Sequence, residues 1–586
     1  MPSFDGFARG ARTHACRVET RLDTLGEGKR AACTSATLVF LLFFAAIASA
    51  QSSSPEQGIP VTDPLVIAKC GTCHARDGHG NMQRISWERT TPEGWQEALK
   101  RMILVNGVSL TPQEARSIVK YLASSHGLAP EEAKAISYYA ERRIHPETGI
   151  PENLQHACAR CHTFARALSW RRSLDDWKQL AADHAARYKL PPNEEAVASL
   201  AKAAPLHTPE WDAWTASARA QNPAGRWLLT ASLPGRGQYY GDVQVDATGD
   251  GDFSTSVRLT SVNDGSRMIR SGRAVVYGGY AWRGRSQGPP VETSTTNGAG
   301  SEAREVLWIA PDQSSAEGRW FWGQYQEFGF DVHLRRAPAN SAAPTLLTVG
   351  RPSLKAGSES TRIRLFGDQL PANVKAVDLD LGPGVAVRRI VSATTSEIVA
   401  EVDVAFDAPP GKHDVRLSNS VLPGAIAIYD RVDYIKIAPD SAMAAFGDDT
   451  HAPGYQQFEA IGYQRGRDGK VHTADDVELG PLDPNDVTWS LEVFYSTPGG
   501  NTDFVGKIAP SGFFTPAAAN PKANFDVWVV ATSKTLTNIS GKPLLGKSYM
   551  VVTVPEYTLN GRRYVRDLDR WVDNGPDNGP DKGPAQ

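Results

Sequence analysis

The chain has 586 residues, 41% of them hydrophobic and 22% charged, and a formal net charge of −3. That length allows about three to five domains of ordinary globular composition. The near-neutral balance excludes the strongly basic footprint expected for nucleic acid or an anionic membrane surface.

In chain order, Lys29 and Arg30 precede an apolar run within residues 31–50, which ends Ala48-Ser49-Ala50 before Gln51. A basic region, a short apolar stretch and an A-x-A site predict a signal peptide over residues 1–50, hence export to the periplasm. The apolar run is shorter than the ~20 residues that span a bilayer.

Cleavage removes Cys16 and Cys33 and leaves Cys70, Cys73, Cys158 and Cys161. They fall in Cys70-Gly-Thr-Cys73-His74 and Cys158-Ala-Arg-Cys161-His162. Two thiols three residues apart match the vinyl groups of one porphyrin, and the next histidine then lies at the iron, so C-x-x-C-H is the covalent heme c signature. A Cys₄ zinc site would not explain a histidine in the same place twice. A redox dithiol would sit in a βαβ pattern, which neither motif has.

Each motif is followed by a repeat. Thr91-Pro92-Glu93-Gly94-Trp95 and Ser173-Leu174-Asp175-Asp176-Trp177 both read as helix starts, with an N-cap and acids in the first turn. Met102 and His184 each follow their tryptophan by seven residues, two helical turns, and so share its face. The repeat predicts the iron ligands as His74/Met102 and His162/His184. Met82, His79, His126, His145, His156 and His207 are the competitors. A thioether raises a heme potential and a second imidazole lowers it, which predicts two unequal hemes. Thr111-Pro-Gln-Glu114 is a capping box for a further helix, and Pro191-Pro192-Asn193 opens another. Residues 55–222 are therefore expected to be an α-helical diheme cytochrome c domain.

After Pro223 the texture becomes β-rich. Residues 225–337 read as a barrel-like domain with hairpin signals at Asp264-Gly265 and Gly278-Gly279. An Ala/Pro-rich linker leads to two Ig-like sandwiches, 344–437 and 438–557, with short strands at regular spacing. The Asn-Gly-Pro-rich tail, 572–586, is expected to be disordered. Asp468, Asp475 and Asp476 lack the ligand order of an EF-hand and read as an acidic turn. The fold class expected is thus multidomain, a helical diheme domain followed by all-β domains.

This order of units resembles the α subunit of quinohemoprotein amine dehydrogenase over nearly the whole mature chain. The resemblance is carried by Thr91-Pro-Glu-Gly-Trp95 with Arg101-Met102, by Cys158-Ala-Arg-Cys-His162 with Arg171-Arg172 and Asp176-Trp177-Lys178, and by four later motifs. These are Pro234-Gly-Arg-Gly237, Asp264-Gly-Ser-Arg267, Gln457-Phe-Glu-Ala460 and Gly512-Phe-Phe-Thr-Pro-Ala517. One departure is Val105-Asn106-Gly107, where the family often shows Asn-His-Gly.

The resemblance implies an electron-transfer subunit of an enzyme that oxidises primary amines to aldehyde and ammonia. It implies a cysteine tryptophylquinone on a small γ subunit, a β-propeller subunit completing a heterotrimer, and a soluble acceptor, either a blue copper protein or a cytochrome c. No catalytic residue is then expected on this chain. The rival readings are a free-standing diheme carrier and a diheme peroxidase-like enzyme with an open iron position.

Overall fold

The computed structural model describes residues 56–573 apart from 137–146, 148, 160–161, 189–190, 192, 218–221, 250, 291–300, 324–327, 339–342, 449–450, 495–501, 519–520, 522, 555, 560–561 and 566–569. The expected signal peptide, Cys161, His145 and all but the first two residues of the expected tail lie outside the described residues.

Nine helices lie between residues 64 and 216 of the described chain: α1 Pro64–Cys70, α2 Pro92–Asn106, α3 Pro112–Ser125, α4 Pro130–Lys134, α5 Glu152–Cys158, α6 Phe164–Leu168, α7 Leu174–Tyr188, α8 Glu194–Ala203 and α9 Pro209–Ala216. Their starts follow local chemistry. The Thr91 side chain accepts from Gly94 N–H to cap α2, and Thr111 and Glu114 close a capping box on α3. Gly107 ends α2 with φ +71°, a left-handed turn that glycine makes without a Cβ clash.

Two three-residue strands, β1 Glu88–Thr90 and β2 Trp170–Arg172, pair antiparallel in the register Glu88↔Arg172, Arg89↔Arg171, Thr90↔Trp170. A closed eight-stranded antiparallel barrel follows: β3 Gly225–Leu233, β4 Gly237–Gly249, β5 Asp252–Ser261, β6 Arg267–Tyr277, β7 Ala281–Gln287, β8 Glu302–Ile309, β9 Ser315–Trp322 and β10 Phe328–Arg336. Closure comes from β10 pairing back on β3, Asp331↔Ser232 through Arg336↔Trp227. It removes the unpaired edges that an open sheet would present. Trp227, Trp320 and Phe330 fill the interior, each no more than 2% exposed.

Beyond the barrel, two four-stranded sheets within residues 345–429 share one core built on Ile363, Leu365, Val402 and Ile428. Residues 434–553 form a four-stranded sheet and two three-stranded sheets, and a last three-stranded sheet spans Glu556 to Asp573.

The expectation of an α-helical diheme domain followed by all-β domains needs correction. Strands account for 44% of the described residues and helices for 21%, and no helical diheme cytochrome domain is evident. The helical segment is made of pieces 5 to 15 residues long, and helices this short are marginal without a packed partner. The barrel supplies that partner. One core unites Val66, Trp95, Leu99, Ile118 and Leu122 with Tyr277, Tyr280, Ala281 and Trp308 of the barrel wall. Tyr280 Oη donates to Leu128 O at 2.8 Å, Trp308 Nε1 donates to Pro130 O at 2.8 Å, and Arg283 pairs with Glu93 at the start of α2.

At the β1–β2 pair, Glu132 of α4 takes two hydrogen bonds from Arg89 (2.7 and 3.0 Å) and one from Arg171 (3.1 Å). Thr208 Oγ1 adds a fourth at 2.9 Å. Burial pushes the Glu132 carboxyl up, but the two guanidiniums outweigh it and hold it down at about 2. Nearby, His126 is fully buried, its Nδ1 3.0 Å from Ser125 Oγ and its Nε2 3.2 Å from Ile59 O. Burial lowers its pKa to about 4.

Two outcomes are expected. Glu132→Gln strands two buried cations and should destabilise the chain by about 3–5 kcal/mol in urea unfolding. The pH dependence should have two windows. His126 has a folded pKa of about 4 against 6.5, so its contribution is full above 6.5 and is lost as pH falls toward 4. Glu132, at about 2 against 4.5, contributes fully above 4.5 and loses that as pH falls toward 2. Urea midpoints measured from pH 7.5 downward should fall in both windows, and His126→Asn should flatten the upper one.

Candidate heme-binding site

The two C-x-x-C-H motifs sit at matching places. Cys70 is the last residue of α1 and Cys158 the last of α5, so each motif begins where a helix unwinds. Cys70 and Cys158 are half-buried and Cys73 is exposed. Burial raises the pKa of Cys70, with Cys73 adding to the shift, and burial raises Cys158.

The histidines have the geometry of metal-ligating imidazoles. His74 Nδ1 lies 2.9 Å from Gln83 O, and His162 Nδ1 lies 2.8 Å from Thr163 O. A carbonyl at Nδ1 takes the ring proton and leaves Nε2 as the lone-pair nitrogen, the orientation used by iron-bound histidine. His184 on α7 is held the same way, Nδ1 to Leu180 O at 3.1 Å. Burial lowers the pKa of His162, and the charges of Arg166 and His184 lower it further. His184 shifts down as well, from partial desolvation first and then from Arg187 and Arg172. Both shifts favour the neutral, ligating form of the ring.

Met102 is half-buried on α2, and its sulfur accepts from Asn106 Nδ2 at 3.5 Å. Met82 is wholly buried in the core with Val61, Val66 and Ile85. Among the other competitors, both ring nitrogens of His126 are engaged, His207 Nε2 is 2.6 Å from Gln57 O, and His156 is exposed on α5 beside Glu152. The residues present thus fit heme: thiols at helix ends, imidazoles with Nδ1 engaged, and Met102 and His184 at equivalent turns of two 15-residue helices.

The repeat is preserved in detail. Trp95 Nε1 donates to His126 O and Trp177 Nε1 to Ala204 O, both at 3.0 Å. Each carbonyl belongs to the C-cap of the following helix, α3 or α8. What sequence reasoning missed is the joint between the halves. Arg172, 4% exposed, is bound to Glu88 at 2.7 Å and to Asp176. The only signal in the sequence is the recurrence of arginine at 89 and 171 before each capped helix. Asp475 and Asp476 accept from Thr473 inside their own turn, and the described residues hold no cluster of three or more metal-ligating side chains.

Comparison with known proteins adds the following. Four family models match in succession: quinohemoprotein amine dehydrogenase A, alpha subunit, haem binding, over residues 61–201; alpha subunit domain II over 220–337; domain III over 343–430; and domain IV over 435–561. No curated protein matches the chain. Among solved structures, a de novo designed fluorescence-activating β-barrel is 19% identical, covering 20% of this chain and 93% of its own at a TM-score of 0.15. Human protocadherin-24 EC1-2 is 14% identical, covering 37% and 99% at 0.16. A SusE-like surface polysaccharide-binding protein from Bacteroides thetaiotaomicron is 9% identical, covering 59% and 70% at 0.14. Scores this low carry no argument about function. The family models, by contrast, run through most of the chain in order, and the haem-binding one lies over both C-x-x-C-H motifs: the chain belongs to the quinohemoprotein amine dehydrogenase alpha-subunit family.

Proposed function

We propose that this chain is the electron-transfer subunit of a periplasmic amine dehydrogenase, carrying two c-type hemes. Cys70 and Cys73 would hold one covalently, with His74 and Met102 as iron ligands. Cys158 and Cys161 would hold the other, with His162 and His184. The observation that carries the reading is the doubled arrangement of helix-end thiol and Nδ1-anchored imidazole inside the segment matched by the haem-binding family model.

When bound, each heme supplies a one-electron site. The chain's own residues supply the rest. Carbonyls at His74 and His162 fix the ring orientation, while Trp95 and Trp177 tie α2 and α7 to the helices behind them. The electrons would come from a cysteine tryptophylquinone on a small γ subunit, with a β-propeller subunit completing a heterotrimer. They would leave to a blue copper protein or cytochrome c, and a signal peptide over 1–50 would place the subunit in the periplasm. Among the described residues no helix is long and apolar enough to cross a membrane.

The test is an anaerobic optical titration of the complex, purified from its native host, with a simple primary amine. Reduction of both hemes, with a small quinone-bearing subunit present, supports the reading. Hemes that stay oxidised with amine and reduce with dithionite, in a chain that purifies alone, refute it. Replacing both thiols of either motif with alanine should remove about half the covalent heme on a stained denaturing gel. Met102→His should lower the potential of one heme and leave the other in place.

A further inference from the structure

A series of tilted-ring and guanidinium–ring contacts, made of groups outside the proposed ligand set and called the stack below, joins the two halves of the heme-binding segment. The Trp95 and Trp170 ring centroids are 6.3 Å apart with planes at 59°. The Arg172 guanidinium lies 4.4 Å from the Trp170 ring centroid and 5.6 Å from that of Trp177. Glu88 and Asp176 hold this guanidinium, and its loss would leave both buried carboxylates with only Arg84 Nε, 3.9 Å from each. The series Trp95, Trp170, Arg172, Trp177 therefore runs from α2 through β2 to α7.

We propose that this stack, with Trp170 at its centre, is the path by which an electron passes between the two iron sites. The inference rests on the reading that both motifs carry heme. Trp95 precedes Met102 by two turns on α2, and Trp177 precedes His184 by two turns on α7, about 10 Å along each axis. Electron tunnelling decays faster across open space than through bonded and closely packed atoms, and the stack supplies packed π-systems in series. The step balances without any other reactant. One iron goes from ferrous to ferric and the other from ferric to ferrous, no proton moves, and no ring in the stack ends oxidised.

Two details separate this role from simple packing. The residue equivalent to Trp170 in the first repeat is Glu88, so the repeat itself does not call for an aromatic ring there. Trp170 is also only half-buried, while Trp95 and Trp177 are 4% and 3% exposed. The core needs the outer two tryptophans more than it needs the middle one. Trp170 acts as a conduit in the path between the two iron sites rather than as a ligand.

The experiment is laser-flash reduction of the purified full complex with a photoexcited one-electron donor. Electron redistribution between the hemes is followed optically in wild type, Trp170→Leu, Trp170→Phe and Arg172→Lys, with both potentials measured by spectroelectrochemistry. The expected result is a several-fold slower redistribution in Trp170→Leu, recovery toward wild type in Trp170→Phe, and unchanged potentials in both. Arg172→Lys, which keeps the charge but loses the planar group, should also slow transfer, and it serves as the readout if Trp170→Leu does not fold. Wild-type rates in Trp170→Leu, or equal slowing in the Leu and Phe variants with shifted potentials, would overturn the proposal. A wild-type complex whose pyridine-hemochrome assay gives fewer than two hemes overturns the heme reading instead.

Discussion

The strand pair at the centre of the heme-binding segment depends on one carboxylate, Glu132. Arg89 and Arg171 face each other across β1 and β2, and each is the other's counterpart in the repeat, so a local two-fold axis passes between them. Two guanidiniums on such an axis repel unless an anion joins them, and Glu132 reaches both. On the same side of the pair, Trp211 lies 4.8 Å from Arg89 Cζ. Glu132 and Trp211 are both the third residue of a helix that opens with proline, α4 and α9. The axis is thus satisfied asymmetrically, by a carboxylate from one repeat and an aromatic face from the other.

The two halves are also supported differently. The first shares its core with the barrel and is pinned to it by Arg283–Glu93, Arg116–Asp252 and Lys134–Glu317. Burial and the Arg283 guanidinium act in opposite directions on Glu93, and the guanidinium prevails, lowering its pKa. The second half keeps a smaller core of its own, around Leu154, Phe164, Trp177 and Leu200. The helix bearing Met102 therefore shares its core with the β wall, while the helix bearing His184 rests on other short helices.

Local chemistry was legible in the sequence wherever one or two turns of chain decide the outcome. The caps at Thr91 and Thr111 fall where the spacing places them. The spacing of Ile118, Val119 and Leu122 marks one helical face of α3, and all three are buried. What covers that face was not legible, because periodicity marks an apolar surface without naming its partner, and an α-helical diheme domain was inferred where the barrel completes the core. The β1–β2 pair was illegible for another reason. Glu-Arg-Thr and Trp-Arg-Arg show no alternation of apolar residues, and buried arginines look exposed until Glu132, 43 and 39 residues away from them, is seen to reach them. Of the site, Cys70, His74, Cys158 and His162 are read directly from their spacing, and the anchoring carbonyls of Gln83 and Leu180 appear only in three dimensions.

The local axis has a consequence for assembly. Two separate identical polypeptides meeting through such a strand pair would form an isologous dimer, in which every contact occurs twice. Such a dimer would place on its axis either two copies of Glu132 or two of Trp211, giving carboxylates in excess or cations without an anion. Carrying both halves on one chain allows one of each. It also frees the joint from mass action: its occupancy does not fall on dilution, as that of a dimer of half-chains would.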